Sequence, residues 1–206
     1  MEEWCPPPEA DVGLVRYPIR YFLTLGCQYR KQRSCAMLKP ATSLLLADPR
    51  SDGMAIDDLR NMVEPFELSE AVPLKIREQF DIARNAFAHS WFVYEFTMLA
   101  ELQCYCVLEM ALSHRLDPDA PPNTTRSPGL HQLLKTATVR GLLSRQEFEV
   151  PSPSGEGGMW CRLDEIPLGR NNLAHGNINL LPQYALSIVE LSADVLNRLF
   201  TGTPAR

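Results

Sequence analysis

"LKIREQFDIARNAFAHSWFVYEFTMLAELQCYCVLEMALSHRL", residues 74 to 116, holds neither glycine nor proline. It opens directly after Pro73 and closes before Asp117-Pro118, so both ends are punctuated. Phe80, Ala83, Phe87, Trp91, Tyr94, Met98, Leu102, Tyr105, Leu108 and Leu112 recur at three- and four-residue steps. A second row, Phe92, Phe96 and Leu99, makes the stretch apolar on two sides, the pattern of a helix packed among other helices. A straight helix of this length would reach about 60 Å, so a kink or two consecutive helices is expected.

Upstream, "ADPRSDG" (47–53) is turn chemistry and "AIDDLRNMVE" (55–64) reads as a short helix. Residues 1–12 read as an unstructured lead-in. In "LVRYPIRYFLTL" (14–25) aromatic and β-branched residues crowd around Pro18, and a short strand and a short helix both stay open. "YRKQR" (29–33) is the most basic run and is expected to be a solvated face. Downstream, "DPDAPPNTT" (117–125) is a loop, after which Ser127-Pro128 supplies an N-cap and first-turn proline for a helix through about Leu143. "PSPSGEGG" (151–158) reads as a flexible linker of the kind that borders a working site. A short helix from about Glu165 stops at Gly176. Pro182 starts the last helix, with Tyr184, Ile188, Leu191, Val195 and Leu199 as its buried stripe. The expected fold is all-α, an up-and-down bundle of four or five helices with a less regular N-terminal segment over residues 1–55.

The totals narrow the function classes. With 206 residues, 45% of them hydrophobic and 22% charged, the chain can bury one substantial core. Its longest apolar runs, such as Ser90 to Leu99, are broken by Glu95 and too short to span a bilayer, so no membrane partner is expected. The acidic, proline-rich start does not resemble a secretory signal, and a cytoplasmic location is expected. Cys5, Cys27, Cys35, Cys104, Cys106 and Cys161 include no C-x-x-C pair; Cys104 and Cys106 would project about 200° apart on a helix, so neither a metal nor another cofactor is expected. A formal net charge of −5 means that any attraction for nucleic acid must be local.

Candidate chemistry sits in "RNNLAHGN" (170–177), which has an upstream echo in "RNAFAHS" (84–90). On a helix Asn171 and His175 share a face, so the amide can orient the imidazole. Arg170 and His175 lie five residues apart, about 140° around the axis, on two flanks of a groove. A guanidinium and an imidazole converging on a phosphate suit phosphodiester cleavage, because histidine moves protons near neutral pH and arginine holds developing charge. RNA carries its own nucleophile in the 2′-hydroxyl, so such a site needs no metal. The competing reading is structural: histidine, asparagine and glycine are all favoured at a helix C-terminus. In the echo, Asn85, His89 and Phe96 share a face of what reads as one uninterrupted helix, and His89 is expected to be a core histidine. The alternative brings Arg84, Asn85 and His89 to the cleft as a second motif. His114 and His131 read as surface residues.

"GRNNLAHGN", preceded by "LHQLLKTATVRGLL" (130–143) and followed by an amphipathic terminal helix, resembles the HEPN superfamily of small helical domains. The likeness covers roughly Leu74 to Phe200 and gives 56–206 as the HEPN-like domain. Its Arg–polar–His signature maps onto Arg170, Asn171 and His175. The resemblance implies a metal-independent endoribonuclease of toxin–antitoxin or anti-phage defence systems, whose two motifs meet across a dimer. It implies RNA as substrate, and a homodimer or a cognate partner protein. Some members are instead non-catalytic interaction modules, the alternative expectation. One subgroup has a modifiable tyrosine two residues after the histidine; Asn177 stands there in this chain.

Overall fold

The computed structural model describes residues 39–118, 128–152, 158–176 and 181–202. The readings placed on 14–25, on 29–33, on Cys5, Cys27 and Cys35, on 119–125, on Ser127, on 153–157 and on Asn177 lie outside them. The described chain is all-α apart from one small hairpin. Its helices are α1 (Ile56–Val63), α2 (Leu74–His89), α3 (Phe96–Leu116), α4 (Leu130–Val139), α5 (Glu165–Ala174) and α6 (Pro182–Thr201). That is six rather than four or five, because the long central stretch divides in two and the short upstream helix forms as well.

Helix α3 is the axis of the molecule: α2, α4, α5 and α6 all pack on it, and α1 lies against α2 and α6. Its buried side runs through Thr97, Ala100, Cys104, Leu108 and Ala111 on steps of three and four. The second apolar row is not buried. Phe92 and Phe96 are half-buried and Leu99 is more than two-fifths exposed, as is Leu102 of the first row. The break at 90–95 interrupts the helical phase between α2 and α3, so a periodicity counted through one continuous helix does not hold across it. Here Ser90, Trp91 and Phe92 turn on main-chain bonds from their amides to Phe87, Ala88 and His89.

The segment upstream of α1 is fastened to this break. Lys39 Nζ donates to the Phe92 carbonyl (2.6 Å) and the Asp48 amide to that of Trp91 (2.7 Å). The Trp91 indole in turn donates to Met54 O (2.7 Å). Described residues 39–55 form 3₁₀ turns at Ala41–Ser43 and Pro49–Ser51 and no strand. Helix α1 then starts where Asp58 accepts the Ala55 amide at 2.7 Å, satisfying a donor the first turn leaves open.

Two further boundaries move. Helix α4 begins at Leu130 with Gly129 as N-cap, so Pro128 precedes it instead of forming its first turn. It ends at Val139, four residues early, because Gly141 takes φ 69° and the amides of Gly141 and Leu142 bond back to Thr138 and Ala137. That pair of bonds satisfies the last carbonyls and stops the helix. The linker 151–158 is bordered by strands β1 (Glu149–Pro151) and β2 (Met159–Cys161), antiparallel with Val150 opposite Trp160. Three-residue strands carry too little alternation to be read from sequence.

Candidate functional site

Helix α5 is short, and its side chains divide cleanly. Pro167 sits in the first turn, where its missing amide would have had no partner. Ile166 and Gly169 are buried and Leu173 packs on the core, which sets one side of the helix against α3, α4 and α6. Leu168, Asn171 and His175, at i, i+3 and i+7, are exposed along the opposite crest. The helix ends as expected. His175 donates its amide to Asn171 O (3.0 Å), Gly176 donates to Leu173 O (3.1 Å), and Gly176 has φ 75°.

Arg170 stands on the flank facing α3. Its Nε lies 3.6 Å from Glu109 Oε1, and both side chains are at least a third exposed. Cys106 adjoins the pair: burial and Glu109 push its thiol up against the opposing pull of Arg170, which leaves it a poor nucleophile. Among the described residues neither Asn171 nor His175 has a side-chain hydrogen bond. The two are joined through the main chain rather than by an amide orienting the imidazole.

The floor beneath α5 is built from residues outside the motif. Glu101 is 2% exposed and accepts the Tyr105 hydroxyl at 2.7 Å. The Tyr184 hydroxyl lies against the same point, and a Cβ at residue 169 would collide with both hydroxyls. Glycine at 169 is therefore what lets α5 settle onto the two tyrosines. The only hint in the sequence is an isolated carboxylate in an apolar helix, four residues before a tyrosine. Burial pushes the Glu101 carboxyl up, and the bond from Tyr105 offsets part of this. A raised carboxyl contributes stability that is complete below its ordinary value of 4.5 and lost as pH climbs through the folded value. Glu101→Gln keeps an acceptor for Tyr105 and removes the titration. It is expected to melt higher than wild type near pH 8, with the gap closing towards about pH 4.5; a gap independent of pH in a thermal melt series would count against this.

The upstream echo is not part of the site. Arg84 donates Nε to Val63 O and Nη2 to Glu64 O (both 3.0 Å) and pairs with Asp81 (2.9 Å), closing the C-terminus of α1. Asn85 and His89 are exposed, and His89 Nδ1 meets Asn85 O at 2.8 Å. His89 is therefore not a core histidine. Helix α2 ends at it, and the next residue, Ser90, is the one buried. His114 and His131 are exposed.

Among the described residues no His, Cys, Asp and Glu cluster could hold a metal, and no helix is long and apolar enough to cross a membrane. No protein-family model, curated protein or solved structure matches the chain.

Proposed function

We propose that the end of α5 is half of a metal-independent RNA-cleaving site, completed by a second copy of the chain, as the resemblance to HEPN domains implies. The observation that carries this reading is the exposure of Arg170, Asn171 and His175 together on a helix whose other side is buried. One His175 takes the proton of a ribose 2′-hydroxyl as that oxygen attacks the adjacent phosphorus. The bond to the 5′ oxygen breaks, and His175 of the other copy, protonated, gives that oxygen its proton. The products are a 2′,3′-cyclic phosphate and a 5′-hydroxyl. Arg170 holds the charge that builds on the non-bridging oxygens, and Asn171 contributes a hydrogen bond to the strand. The resemblance places such an activity in a toxin–antitoxin or anti-phage defence setting.

The test incubates purified protein with total RNA or tRNA in EDTA beside Arg170→Ala and His175→Ala. Decay that depends on both residues supports the reading, and equal decay in all three overturns it. Glu109 competes with phosphate for Arg170, but an exposed pair at 3.6 Å holds weakly. Glu109→Gln is expected to tighten RNA binding about two- to fivefold, and unchanged or weaker binding in a filter assay would contradict this.

A second reading draws on exposed Leu168 (55%) and Leu181 (51%), which flank the motif. They suit a non-catalytic interaction module that docks a cognate defence protein. Under that reading RNA survives intact, and Leu168→Glu releases a partner that the wild-type chain retains.

A further inference from the structure

Trp160 is 38% exposed although its indole is held: Nε1 donates to Glu165 Oε1 at 3.0 Å. A bond to a carboxylate is among the stronger hydrogen bonds, so the ring is oriented without being covered. The ladder partner Val150 on one side and buried Cys161 on the other hold the main chain beneath it. Glu165 is the first residue of α5, and His175 follows its last. The oriented indole therefore lies by the N-terminal end of the helix that presents His175 at its other end, about 15 Å away along the axis. Exposed Leu168 and Asn171 lie between.

We infer that Trp160 is a stacking platform for an unpaired nucleobase of the RNA cleaved at His175, so that the substrate is single-stranded around the scissile bond. The inference rests on the ribonuclease reading of α5. A ring oriented in advance loses little freedom when a base lies on it, and stacking tolerates any base because every base has a π-face. The indole supplies affinity at a distance from the reacting phosphate, which a chain of net charge −5 cannot draw from overall charge. The apolar crest of Leu168 adds contact without selecting sequence.

The experiment uses the full chain carrying His175→Ala, which prevents cleavage, and a labelled oligouridylate just long enough to run from residue 175 to Trp160, so that its register is fixed, followed by fluorescence anisotropy. Adding Trp160→Ala is expected to weaken binding about ten- to hundredfold, with Trp160→Phe retaining most of it. An abasic nucleotide is moved along the oligomer in parallel. One position should reproduce the loss in the His175→Ala chain and cost nothing further once Trp160→Ala is present. Equal affinity with and without Trp160, or equal loss at every abasic position, overturns the inference. Trp160→Leu, which keeps apolar bulk on the hairpin without a π-face, is expected to show the same loss and decides the matter where Trp160→Ala does not fold. Cleavage that depends on His175 but binding that ignores Trp160 would leave the ribonuclease reading standing and remove this inference alone. Absence of any binding removes this inference, and the ribonuclease reading is then decided by the cleavage assay with total RNA.

Discussion

Replacing Arg50 by alanine is expected to lower the free energy of unfolding by about 3–5 kcal/mol at neutral pH in urea denaturation. Asp48 is 4% exposed and takes Arg50 Nε at 2.8 Å and Nη2 at 3.0 Å. The same guanidinium reaches Glu95 (2.7 Å) and lies over the Tyr94 ring at 4.3 Å. Burial pushes the Asp48 carboxyl up, but the bonds from Arg50 outweigh it and hold the carboxyl below its ordinary 3.8. In the wild type, Asp48 therefore stabilises the fold above pH 3.8, and that contribution is lost as pH falls through the lower folded value. Without the Arg50 side chain only the main-chain amides of residue 50 and Tyr94 oppose the burial, so the carboxyl moves up from its wild-type position and its contribution at neutral pH falls. The deficit of the variant is full at neutral pH and shrinks on acidification. A deficit that stays constant down to about pH 4 would show that Arg50 acts by packing alone. By contrast Arg145 and Asp164, joined at 2.6 Å, are about half exposed, and Arg145→Ala should cost less than about 1 kcal/mol. The difference lies in burial, since both pairs have good geometry.

Valine at position 169 is expected to cost about 3 kcal/mol and to abolish any activity that depends on Arg170 and His175. Helix propensity alone predicts the opposite sign, because glycine is a poor helix former. The overlap decides: a side chain there meets the Tyr105 and Tyr184 hydroxyls. Tyr105 cannot swing aside, being 1% exposed and bonded to Glu101. Helix α5 must therefore lift, and the crest with His175 moves with it. Thermal melts would give the first effect and the RNA assay the second. Gly169→Val with wild-type stability would mean that the tyrosines yield, and that α5 is not held by them.

Local signals in this chain are strong. Punctuation by Pro73, Gly176 and Pro182 located the ends of α2, α5 and α6, and period-3.6 patterning gave the helical class. Such signals lie within a turn or two of the residues they govern. They failed where a local rule had a competitor a few residues away. Pro128 yielded the start of α4 to Gly129, and Gly141 ended that helix before Leu143.

The two Arg-Asn-x-apolar-Ala-His motifs show the limit of that kind of reading. Their sequences are nearly alike, yet Arg84 is spent on the carbonyls of α1 while Arg170 holds only a loose, exposed pair. Nothing within either stretch distinguishes these fates, because the deciding groups lie some twenty residues before Arg84 and some sixty before Arg170. The sequence by itself determined the all-α class, most helix ends, and the placement of His175 at an exposed helix terminus, since each follows from backbone geometry and local hydrogen bonding. The position of the break at 90–95 and the arm that clasps it, the exposure of Leu99 and Leu102 on α3, and the Glu101–Tyr105–Tyr184 floor under Gly169 were decided by tertiary structure. They depend on which surfaces meet, and that is settled by burial and hydrogen-bond satisfaction across the whole chain.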